Sequence, residues 1–183
     1  MPVWGWILIV IGAALLAALI VWQAMARKRT SHLRDRFGPE YQRVANEADR
    51  KRDAETELTR REQRREQLHI RPLPETSRVR YVESWRTVQA DFVDDPQRAV
   101  AAADSLLQSV LAERGYPVEN FEQRSADISV DHPRVVENYR EGHRLAGKSE
   151  GNGASTEDLR HAMRHYRALF EELVERPAEQ SAA

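Results

Sequence analysis

Apolar residues are unevenly spaced along the chain, and their pattern divides it into three regions. Residues 3–22 are uncharged and mostly apolar, residues 40–69 are dominated by charged side chains, and residues 75–174 have apolar positions at helical spacing. No segment alternates apolar and polar residues between turn signals, as a half-buried strand would. The pattern predicts an all-α protein with an N-terminal transmembrane helix, a long charged helical stalk and a small C-terminal helical bundle.

The first region predicts a membrane anchor at residues 1–26. The twenty residues from Val3 to Trp22 would span about 30 Å as a helix, which matches the hydrocarbon core of a bilayer, so membrane lipids are the expected partner of residues 3–22. Tryptophans near both ends suit the headgroup boundary. The alternative is a signal peptide cleaved after Ala26, although the apolar core is longer than usual and no basic residue precedes it.

Basic residues directly after the apolar segment predict its orientation. Arg27, Lys28 and Arg29 stand at this exit, with Arg34 and Arg36 close behind. The positive-inside rule then places the N-terminus outside a bacterial inner membrane and the C-terminal domain in the cytoplasm, whereas cleavage would lead to an exported protein. We expect Arg27, Lys28 and Arg29 to contact lipid headgroups.

Residues 27–70 are predicted to form a basic juxtamembrane segment and a charged helical stalk. Residues 40–69 contain neither Gly nor Pro, and many of their acidic and basic side chains lie three or four positions apart. Arg61 and other charged residues interrupt the apolar seam, which favours a solvated helix over a coiled coil. Alanine pairs in the anchor and a self-pairing stalk leave a homo-oligomer as an alternative.

The remaining residues predict a proline linker at 71–74, a helical bundle at 75–176 and a disordered tail at 177–183. Asp95-Pro96 and Asp131-His132-Pro133 are typical of helix starts, and Ser155 with Asp158 forms a capping box. Gly115 is expected to end a helix. Seven aromatic residues are predicted to form core: Tyr81, Trp85, Phe92, Phe121, Tyr139, Tyr166 and Phe170.

Residues 142–149 (GHRLAGKS) match the phosphate-loop pattern G-x-x-x-x-G-K-[ST]. A phosphate loop follows a buried strand and opens a helix, but residues 134–141 have a helical pattern and residues 147–154 are predicted to form a flexible loop. We therefore interpret this as a chance match and expect no cofactor at the four matching residues, Gly142, Gly147, Lys148 and Ser149. His161 and His165 lack the Glu of a metal-binding H-E-x-x-H helix, so no metal site is expected.

Composition narrows the classes of function. The chain has 28 Lys and Arg against 29 Asp and Glu, a formal net charge of −1, which does not favour nucleic acid as a partner. It has no cysteine, which excludes disulfides, thiolate metal sites and a cysteine nucleophile. Because no catalytic arrangement is recognisable, the sequence favours a protein without enzymatic activity.

Several stretches, among them "YVESWRTVQADFVDDPQRAV" and "GYPVENFEQRSADISVDHPRVVENYR", resemble an uncharacterised family of small bacterial proteins from soil bacteria and actinobacteria. Proteins of this family are labelled as hypothetical, membrane or secreted proteins. The resemblance covers nearly all of residues 32–174. It implies no activity, cofactor or catalytic residue.

Together these features predict a single-pass membrane protein that presents a helical domain to an unknown protein partner. The expected interaction surface comprises Phe121, Glu122, Arg124, Asp127, Asp131 and His132. One alternative is an enzyme or small-ligand binder with a pocket between helices, in which Arg124, Asp127, Asp131 and His132 would face a common hollow. Another is an exported envelope protein.

Overall fold

The computed structural model describes residues 3–150 and 153–175, with the side chains of residues 3, 5–10, 13, 149, 150 and 175 left out. These ranges contain eight α-helices and no strand, which confirms the predicted all-α class. The predicted tail at residues 177–183 lies outside them. The helices are α1 (Val3–Phe37), α2 (Pro39–Glu47), α3 (Lys51–Glu66), α4 (Glu75–Asp91), α5 (Pro96–Arg114), α6 (Phe121–Asp131), α7 (Val136–Glu150) and α8 (Thr156–Glu175).

Helices α4, α5, α7 and α8 enclose the larger of two cores. Tyr139 and Tyr166 are fully buried there, and the rings of Trp85 and Phe170 stack with centroids 4.7 Å apart. Stacked aromatic pairs add to the stabilisation that burial of their apolar area supplies. Phe92 and Phe121 pack at the edge of this core, so all seven predicted aromatics contribute to it.

Local capping chemistry sets several helix ends where the sequence predicts them. The Asp95 carboxylate accepts a hydrogen bond from the Arg98 backbone N–H at 3.0 Å, and Ser155 and Asp158 cap each other's backbone. Gly115 ends α5 with a φ of 100°, and a Cβ there would lie 2.5 Å from the His69 carbonyl oxygen. Only glycine satisfies both constraints.

Two predicted boundaries are wrong. Asp131 does not begin a helix with Pro133 but is the last residue of α6, and its carboxylate binds Tyr116 and arginine side chains instead of capping a following helix. Helix α7 starts at Val136, after a turn in which the Val136 N–H donates to the His132 carbonyl at 3.1 Å. It also continues through Gly147 to Glu150, where the sequence suggests a loop.

The predicted stalk is divided and packed rather than continuous and solvated. Residues 48–50 separate α2 from α3, with Ala48 in an extended conformation. The second half of α1 joins these two helices around a smaller core that also includes Val130 of α6. That core consists of Leu33, Phe37, Tyr41, Val44, Ala54, Leu58 and Val130. The few apolar residues of the charged segment therefore share one buried face.

Helices α1 and α3 run parallel to each other. The Thr30 hydroxyl donates to Glu55 at 2.7 Å, and His32 Nε2 lies 2.9 Å from Glu62 Oε1, so contacts advance together along both helices. The start of α3 consequently lies beside the last third of α1, which begins near Ala26.

The predicted anchor forms the first part of α1. Apolar side chains there are exposed, including Trp4, Leu15, Leu16, Ile20 and Trp22. Across residues 3–150 and 153–175, as far as they are described, no helix is both long and apolar enough to cross a membrane.

Candidate functional site

Helix α6 carries most of the predicted interaction surface, but its own chain covers it. Arg124, Asp127 and His132 are buried, Phe121 and Asp131 are partly buried, and Glu122 is exposed. The buried members contact other helices of the same molecule. The arrangement is therefore an internal polar contact rather than an open binding face.

Arg124 fixes α6 to α7. Its Nε donates to the Tyr139 hydroxyl at 2.6 Å, another guanidinium N–H donates to the Val118 carbonyl, and the cation lies over the Tyr139 ring at 5.6 Å. Burial and the charge of Asp104 raise the pKa of Tyr139, while Arg124 acts in the opposite sense. Arg124 thus satisfies buried acceptors that would otherwise destabilise this end of the core.

Asp127 and Asp131 lie one helical turn apart and face the charged helix α3. Arg64 Nε donates to Asp127 at 3.1 Å, and Arg65 pairs with Asp131, which also accepts from the Tyr116 hydroxyl at 2.7 Å. Burial raises the pKa of Asp127, although its hydrogen bond from Gln123 and the charge of Arg64 oppose the shift. Two arginines of α3 therefore meet two carboxylates of α6.

Glu40 forms the second half of this contact. Its buried carboxylate accepts hydrogen bonds from Arg43, from Arg61 at 2.8 Å and from Arg140 at 2.8 and 2.9 Å. Burial alone would raise the pKa of Glu40, but the hydrogen bonds and charges of Arg43 and Arg140 outweigh it and lower the pKa to about 2. One carboxylate therefore joins α2, α3 and α7.

The three arginines around Glu40 each have a second carboxylate partner. Glu47 pairs with Arg43, Glu57 with Arg61 and Glu137 with Arg140, which compensates the positive charge of the cluster. We name the whole contact the charged junction, with the members Glu40, Arg61, Arg64, Arg65, Asp127, Asp131 and Arg140. Its ion pairs join α2 and α3 to α6 and α7.

Sequence reasoning missed Glu40, Arg61 and Arg140 as members of a site. One signal was present: Glu40 lies four residues before Val44 and therefore on the apolar stripe of α2. A carboxylate on a buried stripe needs cationic partners from another element. Nothing in the sequence indicates which arginines supply them.

The four residues expected to face a common hollow contact different partners. Arg124 binds Tyr139, Asp127 binds Arg64, Asp131 binds Tyr116, and His132 Nδ1 lies 3.2 Å from Glu172 Oε1. A hollow of about 330 Å³ exists elsewhere, between α5, α7 and α8. Its polar lining includes Asp104, Ser105, His143 and Tyr166.

The phosphate-loop match lies inside α7 and does not form a loop. Gly142 packs against Tyr166, because a Cβ at residue 142 would lie 2.7 Å from a ring carbon. No atom lies within 4 Å of the corresponding point at Gly147, and Lys148 Nζ lies 4.0 Å from Asp158. The Ser149 side chain is outside the described part of the chain. Gly142 therefore serves close helix packing.

The two histidines of α8 contact neighbouring side chains. His161 Nε2 lies 3.3 Å from Glu157, and His165 Nδ1 lies 2.8 Å from Asn138. In the part of the chain that the structure describes, no group of three or more His, Asp or Glu residues could hold a metal ion.

The predicted headgroup contacts differ in their surroundings. Arg27 and Lys28 are exposed, and Arg27 lines a cleft between α1 and the start of α3. Arg29 instead donates to the Thr59 hydroxyl at 2.9 Å.

The chain matches no protein-family model, no curated protein and no solved structure, so its resemblance to the bacterial family stays a prediction.

Proposed function

We propose that the chain is a single-pass membrane protein without enzymatic activity that binds a protein partner at the cytoplasmic face of the membrane. The part that would lie in the cytoplasm, the second half of α1 together with α2–α8, is called the body below. The observation that carries the proposal is the contrast within α1. Trp4, Leu15 and Trp22 expose large apolar surfaces, whereas Leu33 and Phe37 of the same helix are buried in the body. Exposed apolar surface of this extent is unfavourable in water and favours contact with lipid or with another apolar surface. Residues 3–22 have the length that is needed to span a bilayer as a helix.

The proposed role is presentation. The charged junction supports it, because it joins α2 and α3 to the bundle, and Leu33 and Phe37 of α1 pack in one core with these two helices. Together these contacts would hold one face of the body at a constant distance from the membrane. Pairing of two copies through the anchor is an extension of the same proposal.

Carbonate extraction of bacterial membranes tests the anchor. We expect the full chain to stay in the pellet and Leu15→Arg/Leu19→Arg to move to the supernatant, because two charges in an apolar span oppose insertion. Thr87→Arg/Gln89→Arg, on the exposed side of α4, is the matched control and should stay in the pellet. Soluble wild-type protein, or mature protein beginning at residue 27, would contradict the anchor.

Reporter fusions at the C-terminus test the orientation. A green fluorescent protein fusion should fluoresce and an alkaline phosphatase fusion should be inactive if the body is cytoplasmic. The reverse pattern would establish the exported alternative.

In-cell crosslinking tests the partner. A photoreactive residue at exposed Glu122 or Val79 of the full chain should give a discrete adduct with one reproducible protein. Adducts only with lipid or with the chain itself would reject a separate protein partner.

A further inference from the structure

An open cleft lies where α1 leaves its apolar part. It has a volume of about 760 Å³ and runs between the last third of α1 and the first turn of α3. Arg27 and Arg34 line it from α1, and Lys51 and Arg52 line it from α3. Two basic groups that are far apart in the sequence therefore face one space.

The parallel packing of α1 and α3 sets the depth of this cleft relative to the proposed bilayer. Arg27 is five residues beyond Trp22, or about 7.5 Å along the helix, which corresponds to the headgroup layer on one side of a bilayer. Lys51 and Arg52 lie beside this part of α1 because α3 begins there. The end of the cleft at Arg27 thus lies at the level of lipid phosphates, whereas Arg34 lies about 18 Å beyond Trp22 along α1, at the end farther from the bilayer.

Its arginines are free to bind an anion. Arg27, Arg34 and Arg52 have no carboxylate within ion-pair distance among the residues that the structure describes, whereas the arginines of the charged junction are all paired. Arg34 lies over the Tyr41 ring at 5.3 Å, which orients its guanidinium without neutralising it. Guanidinium groups bind phosphate oxygens through paired N–H donors.

The carboxylates of the cleft are already engaged. Glu55 accepts from Thr30 and Tyr41 and lies 3.5 Å from Lys51 Nζ. Its pKa is lowered, because these contacts outweigh the opposing effect of burial. Asp35 accepts from the Ser31 hydroxyl at 3.4 Å. The lining of the cleft contains four basic side chains and two carboxylates, so the cleft has a net positive charge although the whole chain is nearly neutral.

We propose that this cleft binds the phosphate headgroup of an anionic phospholipid. The inference rests on the proposed membrane anchor and adds a specific site to it. Arg27 from α1 and Lys51 and Arg52 from α3 would contact the phosphate, and Arg34 at the far end of the cleft would add to the attraction of the anionic headgroup. A lipid is favoured over a soluble anion because the cleft begins at Ala26, directly after the exposed apolar residues Trp22 and Met25 of α1.

Photocrosslinking in reconstituted vesicles tests the site. The full chain is placed in phosphatidylcholine vesicles that carry a trace of photoreactive phosphatidylglycerol or of photoreactive phosphatidylcholine. We expect labelling of wild-type protein by the anionic probe to exceed labelling by the neutral probe. In Arg27→Gln/Arg34→Gln/Arg52→Gln this excess should fall roughly tenfold, since each basic residue near an anionic headgroup contributes to attraction.

A matched variant controls for net charge. Arg98, Arg134 and Arg164 are also exposed, and no carboxylate lies within ion-pair distance of them in the part of the chain that the structure describes. Arg98→Gln/Arg134→Gln/Arg164→Gln removes the same charge and should keep the full excess. An undiminished excess in the cleft variant, or an equal loss in the control, overturns the proposal.

The remaining outcomes distinguish a failure of the proposed lipid site from a failure of the proposed membrane anchor. If the cleft variant loses the excess but still floats with the vesicles, the anchor and the site both stand. If wild-type protein floats but labels both probes equally, the site falls and the anchor stands. If inorganic phosphate removes the excess at an ionic strength at which chloride does not, the cleft takes a soluble anion and the lipid assignment falls. Wild-type protein that does not float rejects both proposals.

Discussion

Glu40 accepts hydrogen bonds from more arginines than the other carboxylates of the charged junction do. Its side chain is 1% exposed and accepts from arginines of three helices. Removing one partner of a buried ion pair leaves the others uncompensated, which costs more than the intact pair contributes. Orientation of the body therefore depends on this one carboxylate more than on any surface ion pair.

The depressed pKa of Glu40 predicts a specific loss of stability in acid. Because the folded-state pKa of about 2 lies below the ordinary value of 4.5, the stabilisation is complete above about pH 4.5 and is lost as the pH falls toward 2. The shift corresponds to about 3 kcal/mol. Unfolding of the full chain in detergent by urea, followed by circular dichroism across this pH range, measures it.

Two variants separate Glu40 from the other carboxylates. Glu40→Gln should lower stability at pH 7 and flatten the pH dependence between 4.5 and 2. Glu47→Gln breaks an exposed pair with Arg43 and should cost less than about 1 kcal/mol and keep the wild-type slope. Asp127, whose pKa is raised by burial, acts in the opposite sense. Equal slopes in both variants would contradict the assignment.

The two glycines of α7 illustrate how one helix packs against another. Gly142 faces the Tyr166 ring of α8 with no room for a Cβ, whereas Gly147 faces open space. Both are helical, so an alanine at either position gains the same intrinsic helix propensity. Only packing distinguishes them.

Alanine substitutions at these two glycines should therefore have opposite effects. Gly142→Ala should destabilise by about 1–3 kcal/mol through overpacking, and Gly147→Ala should stabilise by up to about 1 kcal/mol. Thermal unfolding of the full chain is the measurement. A Gly142→Ala protein as stable as the wild type would show that α7 and α8 are farther apart than described.

Three helix ends were predictable from the sequence because their causes are local, whereas both ends of α7 were not. Asp95, Gly115 and Ser155 act on backbone groups within a few residues. The docking of α3 on α6 was not predictable, because Arg64 and Asp127 are distant in sequence and each charge on α3 also has candidate partners three or four residues away. The same ambiguity made buried Asp127 look like a surface residue.

The molecule has two cores joined by the charged junction. The larger core belongs to α4, α5, α7 and α8 with Ile128 of α6, and the smaller one to α1–α3 with Val130 of α6. Few apolar residues connect the two cores, so the ion pairs of the charged junction supply many of the contacts between them. Such an arrangement favours local opening of the smaller unit before global unfolding.

Hydrogen exchange should reveal this order of opening. Arg61→Gln/Arg64→Gln removes two α3 cations from the junction and should speed amide exchange in α2 and α3 while α5 and α8 keep their protection. Arg60→Gln/Arg167→Gln, which alters exposed pairs, should change neither region. Uniformly faster exchange over the whole chain would show one cooperative unit instead of two.

Between Trp22 and Phe37, α1 contains neither glycine nor proline. A stretch of helix without such breaks resists bending, so the apolar segment cannot easily change its angle to the body. In the proposed arrangement, rotation of the anchor about its own axis would turn the whole body by the same angle. If two copies paired within the bilayer, their two bodies would then have one fixed relative orientation. The contact between the two apolar segments would determine that orientation.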